Sequence, residues 1–167
     1  MKKYLVIGNP IEHSLSPKLH NFWIKENNIK AIYDKKRLNK DEIKNLIEDV
    51  KKKKINGLNV TVPYKKEIIN YLDELTPEAN KTQSVNTVFL NGDKIIGDNT
   101  DISGFELAIK KIDFNVVDKE ILIIGAGGVV SSIIFALYKM NVKKISVMNR
   151  TRSKAENLKN LFKDIII

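Results

Sequence analysis

Cysteine is absent from the 167-residue chain, histidine occurs only twice, and aromatic residues make up 7% of it. Each scarcity removes a class of function. Without thiols there is no disulfide framework, no thiolate metal cluster and no cysteine nucleophile, and two histidines leave little for a histidine-built site, so no metal is expected. The lack of cysteine fits a reducing cytoplasm. Long apolar runs are missing too. None approaches the roughly 18 residues that span a bilayer, and the N-terminal MKKYLVIGNP breaks at Gly8-Asn9-Pro10, so neither signal peptide nor membrane anchor is expected.

What is present is the composition of a globular protein, 43% hydrophobic and 29% charged. Lysine and arginine number 29 against 20 acids, a formal charge of +9. A basic balance suggests nucleic acid, but 26 of the 29 cations are lysine, and Lys, Ile and Asn together fill 68 positions. All three have A/T-rich codons, so base composition accounts for the charge. With few aromatics and no RNP-like or helix-turn-helix pattern, no nucleic-acid partner is expected.

Short β-rich runs alternate with amphipathic stretches throughout, the pattern of an α/β fold. Tyr4 to Ile7 reads as a buried strand, and Pro17 after Ser16 opens a helix to about Glu26. Ala31 to Lys35 is a second strand. Lys40 to Lys53 carries Ile43, Leu46, Ile47 and Val50 at helical spacing, and Leu58 to Val62 is a third strand stopped by Pro63. Val85 to Leu90 and Lys94 to Ile96 flank Asn91-Gly92, a hairpin signal that makes one antiparallel pair in an otherwise parallel sheet. After a helix from Asp101 to Ile112, the polar stretch Asp113 to Lys119 reads as a joint, which divides the chain into domains 1–112 and 113–167. A strand from Glu120 to Ile124, a glycine-rich turn, an apolar helix to Met140 and a strand from Lys144 to Met148 follow. A helix from Arg152 to Phe162 then leads into a strand beginning near Ile165.

Gly125-Ala126-Gly127-Gly128-Val129 lies between an apolar strand and a helix. Glycines there permit positive φ and close approach of a phosphate, which free N–H groups and the helix dipole then attract. The third small position of the G-x-G-x-x-G pattern is Val130, so helix-to-strand packing must take a branched side chain. The next strand ends in Asn149-Arg150-Thr151 rather than in the acid that usually holds a ribose hydroxyl of NAD. An acid repels a 2′-phosphate, whereas Arg150 can pair with one, so NADP is favoured as cofactor. The bland alternative makes Arg150 a surface residue and the glycines a tight turn.

Three clusters are polar where structure alone needs no polarity: Ser14 and Ser16 in IEHSLSPKLHN, the run Asn59 to Lys65, and Asn86-Thr87 with Gly97-Asp98-Asn99-Thr100-Asp101. Most sit at strand ends, where open α/β sheets gather ligand groups. Each also has a structural reading: Ser16 and Asp101 as helix N-caps, Lys65 as an exposed lysine.

Taken together, HSLSPKLHN, NVTVPYK, SVNTV, GDNTDISG, GAGG and NRT resemble the shikimate dehydrogenase family, over essentially the whole chain. The resemblance implies an N-terminal shikimate-binding domain with a mainly parallel mixed sheet, then a Rossmann-type NADP-binding domain, and NADPH-dependent reduction of 3-dehydroshikimate to shikimate. It implies that Ser14 and Ser16 bind the substrate carboxylate, that Thr61, Lys65, Asn86 and Asp101 hold the ring hydroxyls, and that Lys65 and Asp101 are the catalytic pair. The direct proton donor stays open between Lys65, with or without water, and an Asp101-assisted relay. Gly125, Ala126, Gly127, Gly128 and Val129 fall to the pyrophosphate, and Asn149, Arg150, Thr151 and Lys154 to the 2′-phosphate region. Two departures stand out: Ile102 replaces the glycine usual after the aspartate, and Val129 and Val130 replace smaller residues.

Family members are longer, so the nucleotide domain is expected to be incomplete, with the strand from Ile121 to Ile124 as an uncovered edge apolar on both faces. That edge is a candidate surface for a homo-oligomer. Two other readings remain: a quinate or related dehydrogenase with relaxed cofactor choice, and a truncated, non-catalytic shikimate-binding module.

Overall fold

The computed structural model describes residues 1–163, so the strand expected near Ile165 lies outside the described residues. Contacts gather the chain into two compact units, Met1–Asn99 and Thr100–Ile167. The expected joint at 113 differs from this division, which falls at the start of the fourth helix. That helix goes with the second unit because its Phe105 packs into the second core and its Glu106 lies 3.2 Å from Lys139. The polar stretch at 113–119 is therefore a loop inside the second unit.

The first unit is built on strands β1 (Lys2–Gly8), β2 (Ala31–Arg37), β3 (Gly57–Val60), β4 (Glu74–Leu75), β5 (Thr87–Asn91) and β6 (Lys94–Asp98), in the order β2-β1-β3-β5-β6-β4. The sheet is mixed. β1 runs parallel to β2 and β3, and β4 parallel to β6, while β5 is antiparallel to both β3 and β6. The antiparallel character thus extends one pairing beyond the expected hairpin. The turn itself sits one residue later than expected: Asn91 still pairs with Lys94, and Gly92 takes φ +63°, so Gly92-Asp93 is the loop.

Helix α1 (Ser16–Glu26) covers one face of the sheet and α2 (Ile43–Lys51) the other. A 3-10 turn over Lys40–Glu42 precedes α2, and the Glu42 carboxylate accepts from the Asn39 N–H at 2.7 Å, which ends the coil before the apolar stripe begins. Ile43, Leu46, Ile47 and Val50 bury that stripe against Leu5, Ile7, Leu58, Val60 and Val88. Residues 66–83 carry no sustained period in the sequence. This stretch holds a 3-10 turn at Glu67–Tyr71, β4, and α3 (Pro77–Thr82), whose N-cap Thr76 accepts from the Ala79 N–H at 3.3 Å. Thr76-Pro77-Glu78 carries the local signals of a helix start.

The second unit contains α4 (Asp101–Lys111), β7 (Glu120–Ile124), α5 (Val130–Lys139), β8 (Lys144–Met148) and α6 (Arg152–Leu161). β7 and β8 pair in parallel from Glu120↔Lys144 to Ile124↔Met148, joined by α5 as a βαβ crossover. Ile134, Leu137, Ile145, Leu158 and Phe162 form its core. Val130, the branched residue at the third position of the glycine pattern, is buried there, so the core absorbs it. Among the described residues no helix is long and apolar enough to cross a membrane.

Candidate active site

In the first unit β1 ends at Gly8, where a Cβ would meet Thr61 Cγ2 at 2.7 Å and the Val62 carbonyl oxygen at 3.0 Å. Only glycine lets the segment after β3 close onto β1, a closure sealed by Thr61 N–H donating to Ile7 O at 2.9 Å and Asn9 N–H to Val62 O at 3.0 Å. This brings Thr61 to a cavity of about 320 Å³ that Ser14, Ser16 and His13 also line, over Val6 and Ile11. Ser14 is fixed by its N–H donating to Ile11 O at 3.0 Å, and its hydroxyl accepts from the Ser16 N–H at 3.3 Å.

The N-cap reading of Ser16 is corrected. Leu15 takes the cap position, no side chain caps α1, and Ser16 is its first residue, so the Ser16 hydroxyl is not spent on the helix start. The loop is held from outside by Glu12. Its carboxylate accepts from the Ile11 N–H at 3.0 Å and from Arg37 at 3.3 Å, and its carbonyl accepts from Lys35. The backbone N–H groups of Glu12 and Ile11, then the Arg37 guanidinium, hold the Glu12 pKa below its ordinary value. Three hydroxyl groups on one concave wall suit an anionic or polyhydroxylated small molecule.

Lys65 follows Tyr64, which is buried and donates its hydroxyl to Leu38 O at 2.7 Å. The Lys65 carbonyl accepts from the Val85 N–H at 2.8 Å, so the backbone is tied on both sides and the residue is half-buried rather than one more exposed lysine. Asn86 bridges the sheet: its N–H donates to Asp98 O at 3.0 Å and its carbonyl accepts from the Val60 N–H at 2.8 Å. In the GDNTD motif, the Asp98 carboxylate accepts from Thr76 and from the Asn99 N–H, while the buried Asn99 amide donates to Thr82 Oγ1 and Ser84 O. Those two side chains are committed to structure.

Asp101 is the first residue of α4, with Thr100 at the N-cap position and no side-chain cap, so its capping reading is corrected as well. A carboxylate in a helix's first turn is still favoured by the dipole. Ile102, the departure from the family's glycine, is buried.

In the second unit the glycine turn has the shape expected of a phosphate cradle. Gly125 adopts φ +111°, with its N–H donating to Met148 O at 2.7 Å, and a Cβ built on Gly125 or Gly127 would meet nothing within 4 Å. The space above the turn is open, Gly127, Gly128 and Val129 are exposed, and α5 begins at Val130 with no side chain capping it. The Val130 N–H already donates to Gly127 O at 3.1 Å, and the α5 dipole favours an anion at this turn. At the end of β8, Asn149 donates to Thr151 O at 2.8 Å, Thr151 takes the N-cap position of α6 in an extended conformation without a side-chain cap, and Arg150 and Lys154 are exposed. Arg152 is paired with Glu156 at 2.8 Å. The donor set fits a dinucleotide carrying an additional phosphate.

Two family descriptions match the chain, the shikimate dehydrogenase substrate binding domain over residues 6–88 and shikimate / quinate 5-dehydrogenase over 106–167. The chain belongs to the shikimate dehydrogenase family. A shikimate dehydrogenase (NADP(+)) of Pelagibacter ubique is 58% identical over 166 residues, covering 99% of this chain and 63% of that protein. The crystal structure of shikimate dehydrogenase from Aquifex aeolicus superimposes with a TM-score of 0.91 at 40% identity, over 98% of this chain and 61% of that one. A Thermus thermophilus shikimate 5-dehydrogenase solved with NADP(H) and shikimate gives 0.89 at 29% identity, over 100% of this chain and 63% of that one. The chain thus spans about three fifths of the length of these relatives.

Sequence reasoning gave no role to Tyr33, read Gly8 only as a strand end and Asn59 only as one member of a polar cluster. Asn59 offered a signal, a polar side chain inside an otherwise apolar strand. Gly8 offered another, a glycine closing a strand directly before Asn-Pro.

Proposed function

We propose that this chain carries the shikimate-binding machinery, and the first part of the NADP-binding machinery, of an NADP-dependent shikimate dehydrogenase that reduces 3-dehydroshikimate to shikimate on the cytoplasmic route to aromatic amino acids. The observation that carries this reading is the single cavity shared by Ser14, Ser16 and Thr61, within the unit that matches a substrate binding domain. In this reading Ser14 and Ser16 donate to the substrate carboxylate, while Thr61, Lys65, Asn86 and Asp101 hold the ring hydroxyls and orient the reacting carbonyl.

NADPH supplies the hydride when bound. As charge grows on the carbonyl oxygen, the Lys65 ammonium stabilises it and a proton is delivered from Lys65, with or without water, or through a relay that Asp101 assists. Gly125, Ala126, Gly127, Gly128 and Val129 hold the pyrophosphate with backbone N–H groups, and Asn149, Arg150, Thr151 and Lys154 hold the 2′-phosphate. Arg150 supports NADP over NAD, and the paired serines support a shikimate-type carboxylate over other polyols. Quinate in a substrate panel tests that last point.

The experiment follows shikimate-dependent NADPH fluorescence and shikimate binding by calorimetry. The wild-type chain binds shikimate, and Lys65→Ala and Asp101→Asn each lower any turnover by about 10²-fold or more. Equal turnover in all three proteins would sink the catalytic assignment. Shikimate binding with no turnover in the wild type identifies a binding module instead.

A further inference from the structure

The amide of an asparagine can face a ligand with its oxygen or its nitrogen, and the two edges select opposite chemistry. We propose that Tyr33, Asn59 and Thr87 form a hydrogen-bonded relay that fixes which edge Asn86 presents, making them positioning residues for substrate recognition. This rests on the reading of Asn86 as a substrate-binding residue.

The polarity of the relay is set by one group that can only accept. The Asn86 backbone carbonyl lies 3.2 Å from the side chain of Asn59, so the Asn59 atom facing it is Nδ2 and the other edge is Oδ1. Tyr33 must then donate its hydroxyl to Asn59 Oδ1, at 2.7 Å. The same Nδ2 donates to Thr87 Oγ1 at 3.2 Å, and the Thr87 proton goes to Asn86 Oδ1 at 3.0 Å. With Asn86 Oδ1 accepting from Thr87, the edge that Asn86 offers a ligand oxygen in this proposal is Nδ2–H.

The far end of the relay is rigid. Tyr33 is 4% exposed, its ring stacks on His20 at 4.1 Å and 5°, and the Asn21 amide clamps its backbone by accepting from its N–H at 3.0 Å and donating to its carbonyl at 2.7 Å. Burial raises the Tyr33 pKa, so the hydroxyl keeps the proton it must give.

Thr87→Val removes the link at Asn86 while keeping a β-branched side chain in β5, and Thr87→Ser restores the hydroxyl. By calorimetry on the 167-residue chain, Thr87→Val raises the shikimate dissociation constant about tenfold and Thr87→Ser stays within about twofold. In an Asn86→Ala background, Thr87→Val adds no further loss. Equal affinity of Thr87→Val and wild type, or a full additional loss in the Asn86→Ala background, overturns the relay.

The Asn86 side-chain amide is read independently by NMR in the ligand-free chain, with its resonances assigned by their disappearance in Asn86→Ala. One sharp pair is expected in wild type and Thr87→Ser, and a broadened or doubled pair in Thr87→Val. An unchanged pair in Thr87→Val overturns the relay. If the wild type binds no shikimate, the substrate reading of the site fails while the NMR result still decides the relay.

Discussion

Strands β1 and β7 are both apolar runs, Tyr4-Leu5-Val6-Ile7 and Ile121-Leu122-Ile123-Ile124, yet they end in different surroundings. β1 lies between two partners, with Leu5 and Ile7 packed under α2 and Val6 packed with Ile11 and Tyr33 on the other face. β7 pairs only with β8 among the described residues. Ile121 and Ile123 pack into the second core, but Leu122 is 59% and Ile124 76% exposed. A run apolar at every position encodes a need for cover on both faces. The first unit supplies that cover, and the described part of the second supplies half. A two-stranded sheet is also the least able to stand alone.

Paired substitutions of one residue type break or sharpen this contrast. Ile43 in α2 and Ile145 in β8 are both fully buried, so each change to alanine costs about 2–5 kcal/mol. In Ile145→Ala, hydrogen exchange followed by mass spectrometry should show β7, α5 and β8 opening while β1 and β3 stay protected, and Ile43→Ala should expose β1 and β3. Loss of protection throughout the chain in Ile145→Ala would mean that the two units unfold as one, ending the comparison.

The next largest effect separates the units by ligand. On the proposal that Arg150 pairs with the 2′-phosphate, Arg150→Ala removes a charge-assisted contact worth about 1.5–3 kcal/mol, so NADPH affinity should fall about 10- to 100-fold while NADH and shikimate affinities stay unchanged. Equal losses for both dinucleotides would reduce Arg150 to a surface cation. Self-association through the exposed β7–β8 face belongs to the same contrast. Light scattering should show mass rising with concentration, and Leu122→Lys with Ile124→Lys should abolish the rise.

Glycines repeat the contrast at smaller scale. A Cβ at Gly97 in β6 would lie 2.5 Å from Leu72 Cδ1 and 2.9 Å from side-chain atoms of Leu75 and Val85, so Gly97→Ala overpacks the first core and costs about 1–3 kcal/mol. Gly104 lies inside α4 with nothing within 4 Å of a Cβ, so Gly104→Ala should stabilise the helix by about 0.5–1 kcal/mol. Thermal melts of the two variants should move in opposite directions.

The sequence was legible where one local rule dominated. The α2 stripe follows helical spacing, Pro17 marks the start of α1, and the turn after β7 announces itself by its glycines. The stretch from 66 to 84 escaped because its elements are short and take their order from distant partners: Asp73 N–H donates to Ile95 O at 3.0 Å, and Thr76 N–H to Gly97 O at 2.9 Å. No periodicity records such bonds. The site divides in the same way. Ser14, Ser16 and Thr61 were legible as polar residues out of place, while the roles of Tyr33 and Gly8 depend on what faces them across the fold. The alternative N-cap readings of Ser16 and Asp101 fail because the residue before each, Leu15 or Thr100, takes the cap position.

The smallest expected effect concerns His20, half-buried on α1 between the rings of Tyr33 and Trp23. Burial lowers its pKa below the ordinary 6.5. Between the lowered value and 6.5 the unfolded chain holds more proton than the folded one, so folding stability rises with pH through that window, is complete above 6.5, and is lost as pH falls through it. The second unit has no histidine, so the dependence should be confined to the first. Unit-resolved hydrogen exchange at pH 5 and pH 7 tests this: β1 and β2 should lose protection at the lower pH beyond any loss in β7 and β8, and His20→Gln should remove that difference.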